Sequence, residues 1–211
     1  MVEIPKAENF RRKVAKMEEN YGIIDCIYVQ CTEEFSHHKL TQLNKSIRTR
    51  IIEPFLFDWG KMQRQLGYDG LKEVYGKMKE KHFADRIEPL RRKSLKSTNL
   101  DELKGLIINL FDQIASVSFK SKKGKGKNVG STTSSKVLHL CCPDLFVMWD
   151  ADIRALYKKG NGNGEDYFQF LEDMKKLWIA LDETINKLQK EYGKIATRLV
   201  DEYNWCESHR E

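Results

Sequence analysis

The chain has 211 residues, which is enough for one large domain or for two small lobes that share a core. Hydrophobic residues make up 40% and charged residues 32% of it, a balance that is typical of globular proteins and excludes a wholly disordered chain. The formal net charge of +6 is compatible with a polyanionic partner, although many proteins that bind none carry the same excess. Four prolines and thirteen glycines, against abundant Lys, Glu and Leu, favour helices, and we expect an all-α fold.

The sequence also bounds location and redox state. No apolar run approaches the roughly 18 residues that a membrane span needs, and the N-terminal stretch lacks the apolar core of a signal peptide. We therefore expect a soluble protein of the cytoplasm that has no membrane partner. The five cysteines are scattered and form no CxxC pair, so free thiols are expected, with a Cys26–Cys31 disulfide as the alternative in an oxidising cell.

No motif in the sequence predicts a cofactor or a metal. A Walker loop, a G-x-S-x-G elbow and an HExxH helix are all absent, and the five histidines have no ligand spacing with one another or with the cysteines. Gly160, Gly162 and Gly164 follow no strand, so we interpret them as a flexible turn and not as a dinucleotide fingerprint. The expected cofactor and metal content is none.

Residues 7–20 form an amphipathic pattern that predicts the first helix. Residues 23–31 have strand-like β-branched and aromatic content but fit a buried helical turn equally well. Helices are predicted at 40–52 and at 55–70, with Pro54 between them as either a break or the first turn of the second helix. The pattern predicts further helices at 71–82, 84–95, 99–118, 131–142, 150–159, 167–188 and 195–203.

The segment 120–130 interrupts the helical pattern with five lysines and three glycines. A turn at 128–130 suits an anion, because Asn128 tolerates the left-handed conformation, Gly130 adopts any conformation, and the next helix presents unpaired N–H groups. Its lysines would supply a salt-sensitive attraction to phosphates: Lys120, Lys122, Lys123, Lys125 and Lys127. The alternative interpretation is a solvated loop with no partner.

The same stretch resembles the helix-hairpin-helix of the DNA glycosylase superfamily, which includes endonuclease III and the adenine-mismatch and 8-oxoguanine glycosylases. Lys127-Asn128-Val129-Gly130 stands where that family has P-G-V-G, and Asp150 follows Gly130 by 20 positions, about the family's interval to its catalytic aspartate. Ile153 and Arg154 match the apolar and basic positions after that aspartate. The resemblance covers roughly residues 100 to 160.

The resemblance implies a two-lobed, DNA glycosylase-like helical fold, in one domain over residues 1–211, with a helix-hairpin-helix element at 99–142. It implies duplex DNA as partner and Asp150 as a catalytic carboxylate that stabilises positive charge on the sugar. Thr132 stands where bifunctional members have a lysine, so the resemblance implies monofunctional action. Asp152 replaces the usual histidine, and no C-terminal cysteine quartet is present for an iron–sulphur cluster.

Several interpretations stay open at this point. Asp150 is also a good N-cap for the helix after it. Trp149 fits the core better than a base-stacking surface, and His139 fits a hydrogen-bonded interior histidine better than a general base. The alternatives to a glycosylase are a non-catalytic protein that binds DNA or RNA and a helical bundle that binds other proteins. The oligomeric state is left open.

Overall fold

The computed structural model describes residues 3–120 and 124–209, and this part of the chain is mostly helical, as the sequence predicts. Its α-helices are α1 (Ala7–Ser36), α2 (Lys45–Ile47), α3 (Gln63–Lys79), α4 (Lys81–Ile87), α5 (Leu100–Ala115), α6 (Ser131–Cys141), α7 (Ala151–Leu156), α8 (Gly164–Ala180), α9 (Asp182–Tyr192) and α10 (Ala196–Ser208). Two short antiparallel strands, β1 (Ser118–Lys120) and β2 (Gly126–Asn128), lie between α5 and α6. Within the described ranges, no helix is both long enough and apolar enough to cross a bilayer.

Helix α1 is one continuous helix of 30 residues. It runs through 23–31, so the strand interpretation of that segment is wrong. The helical alternative is correct only in part, because Tyr28 and Cys31 are buried while Ile23 is 90% exposed. All five cysteines are free thiols, as expected.

The first-turn alternative for Pro54 is confirmed, because α2 continues through π-helical turns at Arg48–Ile52 and Pro54–Trp59 and the proline begins the second of these turns. Proline is tolerated there since the first turn of a helical segment needs no N–H donor. This continuous path ends at Gly60, whose N–H donates to the carbonyl of Phe55 (2.8 Å). Trp59 is thereby held beside the middle of α1, where its indole N–H donates to Asp25 (3.0 Å).

The connection between α5 and α6 differs from the predicted tight turn. Helix α5 ends at Ala115, and the two strands that follow pair Ser118 with Asn128. The chain then returns to the end of α5, since Gly130 N–H donates to the carbonyl of Ala115 (3.0 Å). The helix ends are therefore adjacent, with a lysine-rich ribbon, residues 118–128, inserted between them. Among its described residues, 118–120 and 124–128, only Phe119 is buried.

One hydrophobic core joins the helices. The apolar side chains of α8, from Tyr167 to Trp178, are buried, with Tyr167 stacked on Phe111 at a centroid distance of 4.5 Å. Trp149 packs edge-on against Tyr167 (5.0 Å) and is 1% exposed, which confirms its interpretation as a core residue. Helix α10 packs against both α1 and α7.

Candidate active site

A cavity of about 350 Å³ lies between α1, residues 59–62, α6, the start of α7 and α10. Sites for small organic ligands have volumes of about 300–1,000 Å³ and combine apolar surface with a few polar groups. This cavity has both kinds of lining: Tyr21, Trp59, Trp149, Trp205, Lys136 and Asp150. Two larger concavities, of about 600 and 660 Å³, are lined by none of the predicted site residues.

Asp150 lies on the cavity wall as the N-cap of α7. Its Oδ1 accepts a hydrogen bond from the backbone N–H of Ile153 (2.9 Å), so the capping interpretation is confirmed. Its Oδ2 is directed toward the imidazole of His209, with a distance of 3.8 Å to Nε2. The cap fixes one oxygen and orients the carboxylate, while the second oxygen is available at the cavity rim; a catalytic role stays a prediction.

Thr132 lines the same cavity from the first turn of α6. The helix begins where the sequence predicts, at the residue after Gly130. Gly130 has φ 81° and ψ 174°, a left-handed φ that favours glycine at this N-cap. The first-turn N–H groups at 131–133 have no acceptor within the helix, as at any helix start. The positive end of α6 and the Asp150 carboxylate thus border one space.

Three predicted hairpin contacts need correction. Asn128 belongs to β2 and is not among the residues with positive φ. The N–H of Val129 donates to the carbonyl of Val117 (2.9 Å), and that of Gly130 is already used by Ala115. These two amides therefore cannot bind a phosphate, because the ribbon needs them to return the chain to the end of α5. The free donors begin one residue later.

The predicted lysines have different environments. Lys125 is exposed on the ribbon, and Lys127 is exposed with its amine donating to the carbonyl of Gln65 (3.1 Å). Lys120 is exposed at the end of β1. Lys122 and Lys123 lie outside the described residues. The ribbon thus presents cations to solvent just before the start of α6.

Lys136 is a cavity residue that the sequence reasoning missed. Lys136 is half-buried, and its amine donates to the carbonyl of Gly60 (2.8 Å) and lies 5.4 Å from the centre of the Trp59 ring. In residues 3–120 and 124–209, no carboxylate forms an ion pair with it. Burial lowers the pKa of the Lys136 amine, and Asp201 and Asp150 only partly offset this effect. The sequence could have indicated this residue, because Lys136 is the one charged side chain, apart from a histidine, in the otherwise small and apolar segment STTSSKVLHLCC.

A buried cation, Arg198, borders the cavity from α10. It donates to Asp25 of α1 (2.8 Å) and pairs with Asp201 and Glu202, and its guanidinium lies 5.0 Å from the centre of the Trp59 ring. Burial by itself raises the pKa of the Asp25 carboxyl, but Arg198 and its neighbours lower it more, so the carboxyl stays ionised. Partners 173 residues apart in sequence gave no local signal.

His209, after α10, lies beside two carboxylates at the cavity rim. Its Nε2 is 3.2 Å from Asp152 and 3.8 Å from Asp150, and its ring stacks on Trp205 with a centroid distance of 4.4 Å. The three side chains offer metal-ligand types of atoms within 4.8 Å of one another. Histidine spacing in the sequence gave no indication of this cluster, because its acidic members come from the start of α7, far from His209 in the sequence. Protonated His209 would hold both carboxylates as ion pairs.

His139 is a buried histidine with both ring nitrogens bonded. Nε2 lies 2.7 Å from the hydroxyl of Tyr28, and Nδ1 lies 2.6 Å from the carbonyl of Phe146. Burial lowers the pKa of His139 to about 3, so the ring is neutral at physiological pH. The interpretation as an interior histidine is confirmed.

Comparison with known proteins identifies no relative: no family model, no curated protein and no solved structure matches the chain. Function therefore has to be inferred from the residues themselves. The cavity joins indole rings, a carboxylate and an amine beside the positive end of a helix. Such a set is suited to hold a planar, uncharged heterocycle whose attached chain carries phosphate.

Proposed function

We propose that the protein binds duplex DNA and removes a base that rotates out of the double helix into the cavity, with Asp150 as the catalytic carboxylate. The observation that carries this proposal is that Thr132 and Asp150 line the same cavity. A backbone phosphate at the start of α6 would place its sugar near the carboxylate and its base against the aromatic wall. A single nucleotide would thus contact the start of α6, the Asp150 carboxylate and the aromatic wall at the same time.

The phosphate contact would involve the first turn of α6 and not the hairpin amides. Unpaired N–H groups and the helix dipole favour an anion there. Arg154 adds a positive charge near the start of α6, because its guanidinium and the Ser131 hydroxyl both lie beside Gly162. The exposed lysines of the ribbon, Lys125 and Lys127, would contribute the salt-sensitive part of the affinity.

The base would occupy the aromatic part of the cavity. Rotation of a base out of the stack costs a few kcal/mol, and stacking on aromatic rings returns about 1–3 kcal/mol per base. Trp59, Trp205 and Tyr21 supply such rings, and each is at least partly exposed. Trp149 is buried in the core, so only its edge is available at the cavity wall.

Asp150 would act on the sugar. Cleavage of the N-glycosidic bond develops positive charge on the sugar, and a fixed carboxylate stabilises that charge or takes a proton from the attacking water. The N-cap hydrogen bond to Ile153 holds the carboxylate in place before the substrate arrives. Thr132 has no amine and takes no covalent part.

In this proposal α5, the ribbon and α6 together form an expanded helix-hairpin-helix, and the segments on either side of the cavity act as two lobes around the DNA. Duplex DNA as the partner also belongs to the proposal. A non-catalytic nucleic-acid-binding protein is the second candidate. It is favoured by one observation, that the cap already gives Asp150 a structural role.

The test is base release from a panel of duplexes with damaged or mismatched bases, measured by chromatography under single turnover. Asp150→Asn keeps a good N-cap, so the variant should fold while base release falls about 10²–10⁴-fold. Asp152→Asn, two residues away and 63% exposed, is the matched control and should keep the wild-type rate.

Binding separates the remaining outcomes. Affinity for unrelated duplexes that falls steeply with salt, without release of any base, would leave the non-catalytic candidate. Absence of salt-sensitive binding to nucleic acid would exclude both the base-removing enzyme and the non-catalytic nucleic-acid-binding protein.

A further inference from the structure

The side chains of Asp150, Asp152 and His209 meet at the rim of the cavity. The Nε2 atom of His209 lies 3.2 Å from Asp152 Oδ2 and 3.8 Å from Asp150 Oδ2. Each side chain offers one atom of a kind that binds metal ions, and these atoms all lie within 4.8 Å of one another. The cluster joins the start of α7 to the chain that follows α10.

The imidazole of His209 carries a hydrogen on the nitrogen that faces away from the carboxylates. Its Nδ1 lies 3.0 Å from the backbone carbonyl of Trp205, and a carbonyl oxygen can only accept. The hydroxyl of Ser208 donates to the same carbonyl (3.2 Å), so Nδ1 keeps its own hydrogen. In the neutral ring, Nε2 therefore has a lone pair and faces the two acids. Histidines that bind metals in proteins have this arrangement, with the second ring nitrogen donating to a carbonyl or a carboxylate.

Two members of the cluster are held in place by contacts outside it. Asp150 Oδ1 accepts from the N–H of Ile153 (2.9 Å), so Oδ2 cannot turn away without loss of the cap. The ring of His209 stacks on Trp205, with a centroid distance of 4.4 Å and an angle of 17° between the planes. Asp152 is 63% exposed and free to rotate. When His209 is neutral, three acceptor atoms thus face one another, and a cation between them would satisfy all three.

The donor set favours a metal ion of the zinc class. Mg²⁺ and Ca²⁺ prefer oxygen ligands alone, whereas imidazole nitrogen suits Zn²⁺ and its neighbours. Zinc has metal–ligand distances of about 2.0–2.2 Å, which place tetrahedral ligand atoms about 3.4 Å apart. The measured separations of 3.2 and 3.8 Å lie close to that value. The two carboxylates balance the charge of a divalent ion, and three protein ligands leave the fourth position to water.

We propose that Asp150, Asp152 and His209 bind a divalent cation of the zinc class, through one oxygen of each aspartate and Nε2 of the histidine. The sequence indicated no metal because histidine spacing was compared only with histidines and cysteines, whereas the acidic ligands come from another helix. Binding of the ion does not depend on the proposed function, but one consequence does. The ion takes Asp150 Oδ2, the oxygen that would face the sugar, so bound zinc should inhibit base release.

The test of binding uses the full chain without an affinity tag, freed of metal by a chelator and titrated with Zn²⁺ alone in a calorimeter. We expect one zinc ion per chain with a Kd below about 100 µM. Mg²⁺ at the same concentrations should not compete. X-ray absorption at the zinc edge should show nitrogen and oxygen neighbours at about 2.0–2.2 Å and no sulphur at about 2.3 Å. The absence of sulphur distinguishes this site from zinc on the free thiols.

Variants identify the ligands. His209→Ala and Asp152→Asn each remove one ligand and should weaken zinc binding by more than about 10-fold, the lower end of the loss seen when a group that only orients a ligand is removed. Both positions are partly exposed, so the variants should fold, and circular dichroism checks this. His82→Ala is the matched control and should bind as the wild type does, because His82 is exposed and its Nε2 lies 3.3 Å from the cation of Arg86.

Three results would overturn the proposal: a Kd above about 100 µM, sulphur among the neighbours of the bound zinc, or wild-type affinity in both folded variants. The X-ray absorption result needs no variant, so it decides the ligand type even if a substitution disturbs the fold.

Base release measured with chelator and then with zinc tests the consequence for Asp150. The wild type should lose activity in proportion to the zinc-bound fraction and regain it when chelator is added, whereas Asp152→Asn should keep its rate in both buffers. Release that continues with zinc fully bound would overturn the assignment of Asp150 as a ligand. Zinc binding without base release from any duplex would support the metal site and exclude the proposed enzymatic function, so the two proposals can fail separately.

Discussion

Two cations border the same cavity, the buried Arg198 and the half-buried Lys136, and their surroundings are opposite. Arg198, from α10, contacts three carboxylates, and these contacts raise its pKa despite the cost of burial. Lys136, from α6, has one backbone carbonyl as acceptor, and burial lowers its pKa. One side of the cavity is thus an ion-pair network that connects α10 to α1. On the other side, Lys136 forms no ion pair with any carboxylate of residues 3–120 and 124–209, and Asp201 and Asp150 act on it only from a distance.

The difference between Arg198 and Lys136 distinguishes a charge that stabilises the fold from a charge that can act on a ligand. A cation with matched carboxylates holds two helices together and has nothing left to offer a substrate. A cation without them raises the energy of the folded state, and such groups are concentrated at functional sites. The comparison therefore predicts that substitutions in the network cost stability, while substitutions on the α6 side cost activity.

The largest effect is expected for Arg198→Met. Removal of the guanidinium leaves Asp25, Asp201 and Glu202 buried without their common partner, which should lower the free energy of unfolding by about 3–5 kcal/mol. Urea denaturation followed by circular dichroism measures it. Arg50→Met is the control, because the Arg50–Glu34 pair is largely exposed and should contribute less than about 1 kcal/mol. A loss at Arg198 as small as the control's would show that the network does not hold α10 to α1.

The next effect concerns pH and His139. Its pKa is about 3 in the folded protein against an ordinary value of 6.5, so the unfolded chain binds more protons between these values. The stability that His139 contributes is therefore fully present above pH 6.5 and is lost as the pH falls toward 3, by up to about 1.4 kcal/mol per pH unit.

The comparison with His139→Asn isolates this contribution from that of the carboxyls. Burial raises the pKa of Asp201 to about 6 and of Glu202 to about 7, and these groups act in the opposite direction in the same range. Asparagine keeps a donor for the carbonyl of Phe146 but does not titrate. The wild type should be more stable than the variant at pH 7, by a margin that shrinks toward pH 4; a constant margin would mean that the histidine is not buried neutral.

A smaller effect is expected at the α7 cap. Asp150→Ala should lower the free energy of unfolding by about 1 kcal/mol, because the N–H of Ile153 loses its acceptor, whereas Asp150→Asn should change it by a few tenths at most. Both variants should lose base release alike. Equal activity in the asparagine variant and the wild type would reduce Asp150 to a capping residue.

A small stability effect is also expected for Lys136→Met. Removal of a half-buried charge that has no ion pair in the described residues stabilises the fold, and the loss of one hydrogen bond to Gly60 costs a similar amount, so the free energy of unfolding should change by less than about 1 kcal/mol. Thermal and urea unfolding measure it. A decrease in the free energy of unfolding as large as that of Arg198→Met would show that Lys136, like Arg198, mainly stabilises the fold.

The local sequence pattern was sufficient to predict some features of this structure. The apolar spacing of α8, the glycine before α6 and the cap at Asp150 are properties of contiguous residues, and each is where the sequence predicts. His139 could also be interpreted correctly, because the apolar residues around it in SKVLHL leave it no exposed face.

Contacts between distant residues decided the rest. The Asp25–Arg198 pair and the His209 cluster depend on how α10 folds back onto α1 and α7, which no window of sequence contains. The ribbon between α5 and α6 was missed because alternating lysine and glycine have low strand propensity, and its pairing depends on the return of Gly130 to Ala115. Lys136 was missed because a lysine in a helix is usually solvated.

The central claim is that the start of α6 and the start of α7 face the same stretch of nucleic acid. Hydrogen–deuterium exchange of the protein with and without a duplex containing an abasic site, at low salt, tests it most directly. We expect slower exchange at residues 131–136 and 150–156 and on the ribbon strand β2, with α9 unchanged as an internal control. Protection confined to other helices, or the same exchange with and without bound DNA across both segments, would contradict the claim.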